Sequence, residues 1–423
     1  MVEIATAVIV GIVSGVLTGL APGIPIVLGY FLFLPLIDPT PLPLLCYAII
    51  SVMGTQFFGS QAALYYRIPG ETSSFPILFE IKNFNSAGEI YQAVQTTTYG
   101  SLVASLFASG LLTLTLMFGL LQGLTLPILA KFSIFLFLIV VAITGDRRWI
   151  VNTLTILLCS LISYYEDLAP IIGTPVYYFN SLLALIIIVS FQMLFKDPEA
   201  IAYNQVGNIE KQPFPIRKWV VPFSAYSLIG SFFGFIPQLG ASVSSYACYF
   251  YEKLKGSSPL ARVAASETAN NSAIITAWLP LLVFGIPITA TEVLFVQYFN
   301  QLGFDFSFMK ETSNQLTLFS VLAIATVIYS VMALSTNKLM YKWIATILSN
   351  RWFGLVVGTV SVTMFFYVNS YTFNYILVHL AVFLPISYIV AKLKISLLPI
   401  VIGFLLTGSV LQVGQQVFQI YIL

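Results

Sequence analysis

Long apolar runs dominate the chain, at 92–118, 124–144, 150–165, 176–195, 315–337, 352–372, 375–391 and 395–418. A helix needs about 20 residues to cross the hydrocarbon of a bilayer, so most of these runs predict transmembrane spans. The run at 150–165 is short, and Lys131 near the start of 124–144 has to snorkel to the membrane surface. Two other regions, 4–82 and 219–303, are equally apolar but interrupted by Pro and Gly, and do not read as simple spans. Lipid tolerates such breaks only where protein or a water-filled cavity satisfies the freed backbone groups, so broken or re-entrant helices are expected there. The stretch from Ile4 to Ala21 has no basic flank, only Glu3, and reads as a retained first span rather than a signal peptide.

Composition strengthens the membrane reading. Of 423 residues, 58% are hydrophobic and 8% charged, with a mean hydropathy of +0.94. Soluble domains are about a quarter charged, so this surface cannot be covered for water. A net charge of +2 with scattered basic residues excludes a nucleic-acid face. Cys46, Cys159 and Cys248 stand alone in apolar runs and read as small core residues, not a disulfide framework or metal site. The segments 145–149, 196–218, 338–351 and 392–394 hold 11 of the 18 Lys and Arg residues, which places them on the cytoplasmic side.

The two interrupted regions resemble each other. Gly15, Gly19 and Pro22 in GVLTGLAPG match Gly230, Gly234 and Pro237 in GSFFGFIPQ at a constant offset of 215. Ile68-Pro69 matches Ile286-Pro287 at an offset of 218. The chain therefore divides into halves, 1–215 and 216–423, each a broken-helix region (4–82, 219–303) followed by about four spans (92–195, 315–418), with 196–218 as the longest cytoplasmic loop. Counting spans back from the basic loops puts 80–90 inside and 303–312 outside, so the repeat is expected to be inverted. Paired broken helices in inverted repeats point to a secondary transporter with its substrate site at the repeat interface.

Polar residues concentrate at the breaks. In ASETANNSAIITAWLP, residues 265–280, Glu267 and Asn271 share a helix face beside Asn270. Such groups in an apolar region mark an ion or substrate pathway, or alternatively a polar packing cluster. In FFGSQAALYYRIPGETSSFP, residues 57–76, Ser60 and Gln61 precede a Pro69-Gly70 break that Glu71, Thr72, Ser73 and Ser74 follow. A helix starting after such a break offers free N–H groups to an anion. Arg67 has two partners in view, a substrate carboxylate or Glu71 four residues on. Further breaks lie at Gly23, at Gly240 with Ser242, Ser244 and Ser245 following as hydroxyls suited to an oxyanion or a coupling cation, and at Gly285, Pro287 and Thr289. Glu71 and Glu267 are the candidates for ion coupling. Glu292, after the second Pro break, either pairs within the bundle or binds a cation. The single histidine, His379, reads as a buried structural imidazole rather than a proton relay. No HExxH, GxSxG, P-loop or GxGxxG is present, so an enzyme is not expected, and neither a metal nor an organic cofactor is.

These residues also carry a family resemblance. The stretch from GFIPQLGASVSSYACYFYEKL through ASETANNSA to VFGIPITATEVLF is similar to the signature region of the large membrane subunit of tripartite tricarboxylate transporters. GLAPGIP, FFGSQAALYYRIPGETSS and the C-terminal LLPIVIGFLLTGSVLQ resemble that family's other motifs. Gln238 and Ile288 stand where the family pattern has glycine. The resemblance implies uptake of a small carboxylate across the cytoplasmic membrane, driven by Na⁺ or H⁺. A small membrane subunit and an extracytoplasmic binding protein would be its partners. The expected fold is an all-α polytopic membrane protein of two inverted repeats. Substrate would dock on backbone amides after Pro69-Gly70 and Pro287, with Ser73, Ser74, Asn270 and Asn271 contributing side chains. A channel, a lipid-handling protein, an intramembrane enzyme or a non-transporting subunit are the alternatives.

Overall fold

A computed structural model describes all residues except 1, 21–28, 30–31, 67–71, 85, 122–126, 146–147, 173–178, 196–213, 336–351, 370–371 and 422–423. Among the described residues all regular structure is helical. In chain order the α-helices of the first half are α1 (Val2–Leu20), α2 (Pro41–Tyr66), α3 (Phe75–Glu80), α4 (Ala87–Met117), α5 (Ile128–Thr144), α6 (Trp149–Ile172) and α7 (Ser181–Phe195). Those of the second half begin with α8 (Ile216–Phe233), α9 (Gly240–Leu254), α10 (Pro259–Thr276), α11 (Trp278–Phe284) and α12 (Ala290–Gln301). They end with α13 (Thr312–Ser335), α14 (Trp352–Asn369), α15 (Phe373–Lys392), α16 (Leu397–Leu405) and α17 (Thr407–Tyr421).

Among the described residues six helices can cross a membrane by length and composition, or seven if α16 and α17 form one bent span. Serine, threonine, asparagine and glutamine side chains are buried, as at Thr96, Ser105 and Gln56, while Val221, Phe232 and Leu254 are exposed. That arrangement suits a lipid solvent, in which polar side chains hold helices together and apolar ones face outward. The chain is a multi-pass membrane protein.

The structure refines the expected elements in three places. The interrupted region 4–82 holds two full-length apolar helices, α1 and α2, both long enough to span. The run at 150–165 continues to Ile172 in α6. The run at 395–418 is not one straight helix but bends by 55° between α16 and α17. There the Thr407 hydroxyl donates back to the Gly403 carbonyl at 2.7 Å, a bond that loosens the helix and favours bending.

The chain forms two compact units, each drawn from both halves. The first holds Met1–Gly123, Glu199–Gly285 and Asp305–Ser349; the second holds Leu124–Pro198, Ile286–Phe304 and Asn350–Leu423. In the first unit α1 packs on α2 through glycines. A Cβ on Gly15 would lie 2.8 Å from the Gly54 Cα, and one on Gly19 would lie 2.8 Å from the Phe58 Cβ and the Thr55 carbonyl. Residue numbers rise together along the contact, so the two helices run parallel. α8 and α10 repeat the arrangement: Gly230 abuts Ala269, and Gly234 abuts Ala273. Gly54 and Ala269 are themselves 215 apart, as are Phe58 and Ala273, so the offset found in the sequence reappears in the contacts. Parallel neighbours require a return segment. Between α8 and α10 this is α9, whose 15 residues cover roughly 22 Å.

In the second unit Gly403 of α16 abuts Cys159 and Ile156 of α6, and Ser387 of α15 donates to the Ile187 carbonyl of α7 at 3.2 Å. Arg148 donates to the Leu393 and Lys394 carbonyls, which joins two of the basic turns assigned to one membrane side. The three cysteines are buried and free. His379 is also structural: its Nε2 accepts the Asn180 N–H at 2.8 Å, which leaves Nδ1 to donate to the Tyr375 carbonyl at 2.9 Å.

Candidate functional site

α10 starts cleanly because Ser258 caps it, its hydroxyl accepting from the Ala261 N–H at 3.3 Å, with Pro259 in the first turn. From Val263 to Ala273 every side chain is buried. Glu267 and Asn271 meet as their i,i+4 spacing predicts: Asn271 Nδ2 donates to Glu267 Oε1 at 2.8 Å and to the Glu267 carbonyl at 2.9 Å. Asn270 looks the other way. Its Nδ2 donates to Gln56 Oε1 of α2 at 3.1 Å, and its Oδ1 is buried with no hydrogen-bond partner. A buried polar atom left unpaired costs about 1–3 kcal/mol, so such an atom calls for an explanation.

One turn before Asn270 on the same face, Ser266 shares a hydrogen bond with Ser245 of α9 at 2.8 Å. Ser245 in turn donates to the Ser73 carbonyl at 2.6 Å, beside the first-half break. Ser73 and Ser74 are both buried, and the Ser73 hydroxyl has no partner. The structure therefore links Ser73 through Ser245 to Ser266, Asn270 to Gln56, and Asn271 to Glu267, with Ser74 buried next to Ser73 in the chain. Ser60 is turned into its own helix, donating to the Phe57 carbonyl, and Gln61 donates to Thr98 at 3.4 Å. Gly240 opens α9, where a Cβ would strike the Phe233 carbonyl, and Ser242 is half-buried beside it. Thr72 begins a short 3₁₀ turn, Thr72–Ser74. Gly23, Pro69, Gly70 and Glu71 lie outside the described residues, as does Arg67.

The second break is built differently. Gly285 ends α11 in the left-handed conformation, φ 67°, with open space where a Cβ would stand. Past buried Pro287, the N–H groups of Ile288 and Thr289 are both taken by Glu292 Oε2, at 2.7 and 3.2 Å. The amides expected to receive a substrate anion are thus held by the chain's own carboxyl. Gln238, at φ 60°, sits in the left-handed region where glycine is unstrained, which gives its replacement of a family glycine a backbone cost.

Near the end of α3 and the start of α10, Glu80 is almost fully buried and takes hydrogen bonds from Tyr249 at 2.8 Å, Arg262 at 3.1 Å and Asn83 at 2.6 Å. Burial works to raise its pKa, but these three donors outweigh it and hold the carboxyl below the ordinary range. Ser245 belongs to the hydroxyls singled out after the Pro237 break, whereas Gln56 and the Glu80–Arg262 pair were not among the residues singled out in sequence as binding groups. Only Gln56 had a signal, since the 215 offset carries it onto Asn271.

The fold and this buried polar core are those of a polytopic helical membrane protein. The model of the Tripartite tricarboxylate transporter TctA family matches residues 6–402, and the chain belongs to that family. It is also 26% identical over 327 residues to the "Uncharacterized 52.8 kDa protein in TAR-I ttuC' 3'region" of Agrobacterium vitis. That match takes in 69% of this chain and 62% of the relative, so this chain spans less than two thirds of that protein's length. No solved structure matches.

Proposed function

We propose that this chain is the permease subunit of a secondary transporter moving small di- or tricarboxylates across the cytoplasmic membrane on a Na⁺ or H⁺ gradient. A small membrane subunit and an extracytoplasmic binding protein are its partners in this reading. One observation supports the location of the site above the rest: the buried Asn270 amide meets Gln56 where α2 and α10 touch, with Oδ1 left over. If the halves are inverted repeats, α2 and α10 are counterparts. Residues of counterpart helices that touch each other lie on the repeat axis, where alternating access keeps a site fixed. There the amide N–H groups suit carboxylate oxygens, and Ser73, Ser74 and Ser266 supply further hydroxyls. Glu267 and Asn271 stand directly behind on the same helix.

The test is uptake of labelled di- and tricarboxylates into proteoliposomes under imposed Na⁺ and H⁺ gradients, with and without a binding protein. Asn270→Ala and Gln56→Ala are each expected to lower uptake about 10-fold or more at unchanged membrane abundance, the effect of losing a hydrogen bond to a charged group. Unchanged uptake in both variants would remove the site. Wild-type protein that is correctly inserted but carries no carboxylate under any gradient would remove the function.

A further inference from the structure

Two helices of this protein open with the same motif and in opposite surroundings. At α4, Ser86 and Glu89 form a reciprocal capping box, and Glu89 is exposed to solvent. At α12, Thr289 and Glu292 form the same box, yet Glu292 is 1% exposed. Its Oε2 accepts the two backbone N–H groups, while Oε1 is buried without a partner. A capping box needs only an acceptor at this position, and glutamine serves as well as glutamate. The acid is therefore more than the cap requires.

An ionised Glu292 would leave a charged oxygen in an apolar site with no donor, which is costly. No ion pair reaches it among the described residues. α16, which packs on α12, carries no charged or titratable side chain, and on α12 itself the other such group is Tyr298, six residues on. A metal cation fits poorly. The Thr289 hydroxyl is engaged with the Glu292 N–H at 3.3 Å, and the positive end of the helix dipole opposes a cation. A proton needs only one oxygen. With the proton on Oε1, Oε2 keeps both N–H bonds and the site is neutral.

We infer that Glu292 is a proton-carrying carboxyl, taking up a proton from one side of the membrane and releasing it to the other as the coupling ion of uptake. The coupling half of this inference rests on the transport reading above; the protonation half does not. The experiment is infrared difference spectroscopy of the full chain in liposomes, stepped from acid to alkaline pH, on wild type and Glu292→Gln. A protonated-carboxyl band at neutral pH that fades on alkalinisation, and is missing from the variant, is expected. Identical carboxyl bands in the two proteins would overturn protonation at Glu292. Should the glutamine variant not insert, Glu292→Asp keeps an acid one methylene shorter, and a band unmoved in it overturns protonation in the same way. In parallel, Glu292→Gln is expected to retain carboxylate exchange but lose all stimulation of net uptake by a pH gradient. Stimulation that survives the substitution overturns the coupling role. A wild type that transports nothing removes the proposed function, while the infrared titration still decides the proton.

Discussion

In the α1–α2 pair, Gly15 and Gly19 lie against Gly54, Thr55 and Phe58; in the α8–α10 pair, Gly230 and Gly234 lie against Ala269 and Ala273. Each pair is joined by two hydroxyls, Thr18 with Thr55 at 2.7 Å and Ser231 with Ser272 at 2.6 Å. The backbone solution is the same, but the chemistry is not. α2 has no charged residue, and beyond Glu3 neither has α1. The second pair brings Arg262 and Glu267 on α10, and Tyr226 of α8 donates to Glu252 of α9 at 2.6 Å. Small residues thus supply a close helix approach that does not depend on what else the helices carry. One copy is left free to bear ionic groups, while the other carries no charge beyond Glu3 and is fastened by the Tyr329 hydroxyl on the Ile50 carbonyl at 2.8 Å.

Breaking the charge on the second pair should have the largest effect. Arg262→Ala leaves Glu80 buried with one donor fewer, and about 3 kcal/mol of stability should be lost, the lower end for a broken buried pair because Arg262 is partly exposed. The sign with pH follows from the depressed Glu80 pKa. Its contribution is present in full above the ordinary carboxylate pKa and is lost as pH falls through the folded-state value. Thermal unfolding in detergent should therefore show the Arg262→Ala defect shrinking toward acid pH, and Glu80→Gln should largely relieve it. A defect independent of pH would separate Glu80 from the stability of this region.

Next comes the shared packing. Gly230→Ala drives a methyl onto the Ala269 backbone, which cannot move aside, and should cost about 1–3 kcal/mol. A variant as stable as wild type would show that the α8–α10 approach is looser than the α1–α2 one. The smallest effect is expected at Gln238, 215 positions after Gly23. Gln238→Gly relieves a left-handed non-glycine residue and should change stability by about +1 kcal/mol or less, offset in part by the greater freedom of glycine in the unfolded chain. A loss of stability instead would mean that the side-chain contacts of Gln238 outweigh its backbone strain.

Much of this was legible in advance, for local reasons. The apolar runs at 92–118 and 315–337 became α4 and α13 because hydropathy over 20 residues is a property of the segment alone. The i,i+4 relation of Glu267 and Asn271 needed only a helix. Gln56 was hidden because a lone amide in an apolar run carries no local mark; only its relation to Asn271 through the 215 offset points to it. Ser245 reaches Ser73 across 172 positions, a contact no spacing announces. The bend after Leu405 was missed because Thr407 turning its hydroxyl onto the chain is a rotamer choice, not a composition.

The sequence by itself determined that this chain lives in a membrane, and it set the glycines and prolines that recur at an offset of about 215. Each depends on hydropathy, small residues and proline acting within a few turns. The tertiary structure alone decided that Asn270 faces Gln56 with an oxygen to spare, and that Glu292 caps its helix in the protein interior while Glu89 caps another at the surface. Burial and partner choice are set by which helices approach, and the same four-residue motif acquires opposite electrostatics from neighbours it does not itself encode.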